Sequence, residues 1–109
     1  ASIAEVRLID IDRSPVHNKI STSEGDKTHK ADVARNSSGK TGAGQKVCVI
    51  SDGITSLAAR QNTGDLPGAI YVLPGQMGSG DESTAMLEIV YDLAPGATLA
   101  LIDAAGYML

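Results

Sequence analysis

The chain has 109 residues, enough for one small domain or a piece of a larger one. Hydrophobic residues make up 42% and charged residues 20%, so it can bury a core. With three Tyr, no Phe and no Trp, that core is aliphatic, and single-stranded nucleic acid finds almost nothing to stack on. A net charge of −4 argues against nucleic acid or an anionic membrane as partner. The charge is uneven. Residues 1–54 are net +1, whereas residues 55–109 hold one Arg against six acids, so each acid there needs its own explanation.

In chain order, Ile3 to Ile11 is rich in Val, Ile and Leu and reads as a strand or extended arm. Residues 13–28 are polar, contain Pro15 and Gly25, and read as loop. Asp26 is an N-cap candidate for a short helix over 27–36. A Gly/Ser loop follows from Ser37 to Gln45. Lys46 to Ile50 and Ala69 to Leu73 are short apolar runs bounded by turn residues, as in buried strands. Between them, Thr55 to Gln61 reads as a short helix. Gly75 to Gly80 is a glycine-rich loop, and Asp81 to Leu93 is a helix closed by Pro95 and Gly96. Ala97 to Ile102 is a third strand. Strands alternating with helices predict an α/β fold, a parallel sheet with helices on both faces.

The single cysteine, Cys48, allows no intrachain disulfide and no cysteine metal cluster, and within Val-Cys-Val-Ile it reads as a buried small hydrophobe. No run approaches the roughly 20 apolar residues of a membrane span, and Ala-Ser-Ile-Ala-Glu-Val is not a signal peptide. His17 and His29 lie apart from any Cys or Ser cluster and read as surface residues. The chain ends at Ala-Gly-Tyr-Met-Leu, directly after a strand with no crossover helix to cover it. That pattern predicts a fragment. The run 97–105, taken as an exposed edge, predicts self-association of the isolated chain unless the arm Ile3 to Ile11 folds back over it.

Two segments can carry chemistry. In Val47-Cys-Val-Ile-Ser-Asp-Gly53 a polar pair, Ser51 and Asp52, stands at the carboxyl end of a buried strand, where open α/β sheets gather reacting groups. The alternative is that Ser51 or Asp52 caps the next helix, near Thr55. In Gly75-Gln-Met-Gly-Ser-Gly-Asp-Glu82 a glycine loop enters a helix. A phosphate loop is opposed by the missing Gly-Lys-Ser/Thr ending and by Asp81 and Glu82 at the helix start. Glu82 shares a helix face with Met86, Ile89 and Leu93, which points it inward as a candidate general base. A capping box from Ser79 to Glu82 explains the same residues. Glu88 and Asp92 fall on the solvated side. Asp81 and Ser51 are secondary site candidates.

Lys46-Val-Cys-Val-Ile-Ser-Asp-Gly-Ile54 resembles the strand carrying the catalytic Asp of subtilisin-like serine peptidases, usually Val-Ile-Asp-Ser/Thr-Gly. Asp81-Glu-Ser-Thr-Ala-Met-Leu-Glu-Ile-Val, followed by Leu93-Ala-Pro-Gly-Ala97, resembles the family helix His-Gly-Thr-His-Val-Ala with its downstream Val-Ala-Pro-Gly-Ala. The resemblance covers residues 26–103. Glu82 stands at the family His position, as in sedolisins, and Ser51 stands at the family Asp position, with the acid one residue later at Asp52. Met86 stands where sedolisins place their partner Asp. The chain is most similar to a bacterial branch in which Ser-Asp follows the strand, Asp-Glu-x-Thr-Ala-Met opens the helix, and a segment like Gly25-Asp-Lys-Thr-His-Lys-Ala-Asp-Val-Ala-Arg35 comes first.

The resemblance implies an arm and loop over 1–25 and the first part of a subtilisin-like peptidase domain over 26–109. It implies a serine endopeptidase with Glu82 as base, Asp52 as its orienting or charge-balancing partner, and the Ser nucleophile and oxyanion donor outside this chain. The partners implied are a peptide or protein substrate and the rest of the domain or a second chain, without nucleic acid or membrane. The setting implied is secreted or cell-envelope. Calcium is common in the family, but no calcium loop is readable here, and no other cofactor is expected. The alternatives are a catalytically inactive homologue serving in binding or assembly and, further off, a phosphate-binding α/β domain.

Overall fold

The computed structural model describes residues 21–107, with side chains to residue 105. The arm Ile3 to Ile11 and His17 lie outside the described residues. In chain order the elements are α1 (Glu24–Thr28), α2 (Ala31–Ser38), β1 (Lys46–Ser51), α3 (Leu57–Asn62), β2 (Ile70–Val72), α4 (Glu82–Leu93), β3 (Thr98–Asp103) and α5 (Ala104–Tyr107).

The three apolar runs form one parallel sheet in the order β1-β3-β2. The fold is therefore α/β. Val47 pairs with Leu99, Val49 with Leu101 and Ser51 with Asp103, while Ile70 and Val72 meet Leu99 and Leu101 from the other side. The run 97–105 is thus not an edge: β3 is the central strand, with its ladder used on both sides. Pairing of distant strands decides edge from centre, and a single run does not reveal it.

Alternation along each strand sorts the residues between two faces. On one face Val49, Leu99 and Leu101 are buried with Ile54, Leu66 and Leu87, and Val47, Leu57, Ile70, Val72, Val90 and Tyr91 pack around them. Leu57 of α3 and Leu87 of α4 reach the same core, and Arg60 of α3 pairs with Glu88 of α4 at 3.2 Å. Both crossover helices therefore lie on one face. On the other face, Ile50 is 60% and Tyr71 61% exposed, and Cys48 is exposed beside them. The expected two-sided cover is not present among the described residues, and Cys48 is not the buried hydrophobe that its neighbours suggested.

Helix α4 is turned differently from the expectation. Its buried residues are Ser83, Thr84, Leu87 and Asp92, whereas Glu82, Met86 and Ile89 are exposed. Small side chains at 83 and 84 let the first turn sit close against the end of β1, and that contact outweighs the apolar count of the Met86–Ile89 stripe. Asp92 is not solvated: its carboxylate accepts the Ser23 amide. Leu87 is fully buried in the middle of this packing. Leu87→Ala is expected to cost about 2–5 kcal/mol, read as a lower urea midpoint with an unchanged slope.

The expected helix over 27–36 is two helices. Ser23, not Asp26, caps the first, its hydroxyl accepting the Gly25 amide. The chain breaks at Lys30, whose φ of 56° is left-handed. Asp26 is instead buried inside α1 and faces Arg35.

Candidate functional site

The carboxyl end of β1 runs into Asp52-Gly53-Ile54, and this segment is laced to the glycine loop. Gly53 and Gly78 form an antiparallel bridge. The Ser79 amide donates to the Asp52 carbonyl at 3.2 Å, the Ile54 amide to Met77 at 3.1 Å and the Thr55 amide to Gly80 at 3.0 Å. The Gly80 amide returns a bond to the Thr55 hydroxyl at 3.1 Å.

Glycine is required at three of these positions: at Gly53, where a Cβ would collide with the Ser79 backbone, and at Gly78 and Gly80. Gly78 has φ 62° and Gly80 φ 106°, both unfavourable for a residue with a Cβ. A Cβ at 78 would collide with the Asp52 carbonyl, and one at 80 with the Asp52 carboxylate. The loop is built for close approach of two backbones, and the approach sets the start of α4 against the strand ends.

Four acids stand at the strand ends and the start of α4, each with its own partners. Glu82, the first residue of α4, is exposed, and its Oε2 accepts the Ser51 hydroxyl at 2.7 Å. Asp52 is half-buried, and its Oδ1 accepts the amides of Gly53 and Ser83. It thereby caps α4, a helix remote in sequence, where a carboxylate also meets the positive end of the helix dipole. Asp103, the register partner of Ser51, accepts the Ala105 amide at 2.9 Å. Its place at a strand carboxyl end was the available signal in the sequence, the same one that drew attention to Asp52.

Asp81 turns away toward α3. It accepts the Ser56 amide at 2.7 Å, the Ser56 hydroxyl at 2.8 Å and the Thr84 hydroxyl at 3.1 Å. These donors, the Ser56 amide foremost, hold its carboxyl below the ordinary Asp value. Asp81 therefore favours the folded chain above the unfolded carboxyl pKa, and the contribution is lost as pH falls through the lower folded value. Between wild type and Asp81→Asn, the difference in melting temperature is expected to shrink as pH drops below about 4.

Ser51, Asp52 and Glu82 thus come together at the carboxyl edge of the sheet, but not as a direct carboxylate pair. Ser51 faces Glu82, and Asp52 faces the backbone. The capping box does not form: Asp81 is the N-cap residue, and Glu82 reaches across to β1. Nor does Ser51 or Asp52 cap the helix after β1, since the Ser56 amide at its start is taken by Asp81. At the start of α4 the Ser83 amide is taken by the Asp52 carboxylate.

Among the described residues, no three or more His, Cys, Asp or Glu side chains gather to hold a metal ion, and His29 is exposed. No helix among them is long and apolar enough to cross a membrane. No family model, no curated protein and no solved structure matches the chain.

Proposed function

We propose that this chain is the first part of the catalytic domain of a subtilisin/sedolisin-like serine endopeptidase, with the Ser nucleophile and the oxyanion donor outside residues 1–109. The observation that carries the reading is the Glu82 carboxylate. It is exposed at the carboxyl edge of a parallel sheet, at the first turn of a helix, and hydrogen-bonded to a polar side chain of the neighbouring strand end.

In this reading Glu82 takes the proton from the nucleophilic hydroxyl as it attacks the scissile carbonyl, then returns it to the leaving amine. Asp52 balances charge at the start of α4 and holds in place the helix that carries Glu82. The open apolar face around Ile50 and Tyr71 is of the kind that further elements of an α/β domain cover, in keeping with a domain continued by other residues.

The test uses the longest natural polypeptide containing this chain, treated with a fluorophosphonate probe and with peptide substrates. A labelled serine outside residues 1–109 is expected. Glu82→Gln is expected to slow labelling and hydrolysis by about 10²–10⁴-fold. A Glu82→Gln protein that labels at the wild-type rate overturns the reading.

The second reading is an inactive homologue serving in binding or assembly. The observation favouring it is that the Asp52 carboxylate is engaged by two backbone amides, which is a structural duty. A folded polypeptide that neither labels nor hydrolyses supports this alternative.

A further inference from the structure

We infer that Ser51 is the positioning residue for Glu82: its hydroxyl aims the glutamate carboxylate so that one oxygen is held and the other is left to take a proton. The inference rests on the peptidase reading and adds to it the residue that orients the base.

Ser51 is the last residue of β1 and lies on the same face as Val47 and Val49, the face on which α4 packs. Its place along the sheet is fixed by the ladder, where it stands opposite Asp103 of the central strand. Its side chain is half-buried and short, so it presents the hydroxyl from a rigid base.

Glu82 has the opposite character. It is exposed and long, with freedom to sample many rotamers. Among the described residues, the hydrogen bond that its carboxylate receives comes from Ser51 at 2.7 Å, onto Oε2. The acid next to Ser51 cannot take this role, because the Asp52 carboxylate is turned to Gly53 and Ser83. A serine hydroxyl donates one proton and so holds one carboxylate oxygen. Oε1 remains available to accept the nucleophile's proton. Orientation of the base therefore comes from a neutral donor, and the charge opposite the α4 dipole is supplied separately by Asp52.

The test uses the same long polypeptide with Ser51→Ala, Ser51→Thr, Glu82→Gln and the double variant Ser51→Ala/Glu82→Gln. Ser51→Ala is expected to lower kcat about 10-fold, the value of one hydrogen bond to a charged group, while KM and Tm hold. Ser51→Thr, which keeps the hydroxyl and suits a strand, is expected to restore kcat. In the Glu82→Gln background, removal of the Ser51 hydroxyl is expected to have little further effect. An active wild type with an indifferent Ser51→Ala variant overturns this role alone. So does a kcat loss that Thr does not restore, or one that persists in full in the Glu82→Gln background. A wild type that neither labels nor hydrolyses overturns the peptidase reading and this role together.

Discussion

Asp26→Ala is expected to destabilise the chain by about 3 kcal/mol, read from urea or thermal unfolding. Asp26 is 4% exposed and meets Arg35 in a two-pronged contact, Nη1 to Oδ1 at 2.6 Å and Nη2 to Oδ2 at 3.0 Å. The carboxylate raises the Arg35 pKa above its ordinary value, so the guanidinium is charged at any pH of interest. Arg35 Nη1 also donates to the Leu93 carbonyl at 2.9 Å, one of the last carbonyls of α4 and free of a helical partner. Removing the carboxylate leaves a shielded positive charge that keeps the Leu93 carbonyl and the longer-range fields of Asp32 and Asp92 but loses its two-pronged partner. Arg35→Ala removes the charge but strands both Asp26 and Leu93. The double variant is expected to cost less than the sum of the two single changes, because neither partner is then left charged and alone. A loss below about 1 kcal/mol for Asp26→Ala would place the pair with ordinary surface ion pairs and refute the argument.

Gly78→Ala is expected to be at least as damaging, by about 3–5 kcal/mol, with loss of hydrolysis in the long polypeptide. Two effects add. Alanine at φ 62° costs about 1 kcal/mol from its left-handed backbone. The larger part comes from the collision of its Cβ with the Asp52 carbonyl, which forces the 52–55 and 77–80 segments apart and breaks the bonds that lace them. Gly75 supplies the control. Its φ is 77°, yet a Cβ there meets nothing within 4 Å. Gly75→Ala is therefore expected to show the backbone cost alone, about 1 kcal/mol, with activity kept. Equal losses at 75 and 78 would mean that the loop does not clamp the strand end.

The elements were largely legible in the sequence, because strand runs and helix stops are local signals. Lys46–Ser51, Ile70–Val72, Glu82–Leu93 and Thr98–Asp103 all fall within a residue or so of the segments read from periodicity and turn residues. What was not legible depends on contacts distant in the chain. Asp26 looks like a cap until Arg35, nine residues on, claims its carboxylate. The run 97–105 looks like an edge until β1 and β2 flank it. The Met86–Ile89 stripe looks like the core side of α4, but Ser83 and Thr84 permit the close approach that decides the helix rotation. At the site, Ser51, Asp52, Asp81 and Glu82 were all singled out by strand-end and helix-start position. Which of them face each other was not, because the crossing of Gly53 over Gly78 sets it, and nothing local announces that crossing.

The one-sided sheet makes the chain its own reporter. Cys48 is the single thiol of the sequence, and it is exposed with Ile50 and Tyr71 on the side of the sheet that no helix covers among the described residues. Its alkylation by a maleimide therefore samples that side and nothing else. Rapid modification means the side is bare, and slowed modification means it is occupied. Mass spectrometry of one modification per molecule can thus follow, during synthesis, refolding or complex formation, whether the second side of the sheet is closed and when.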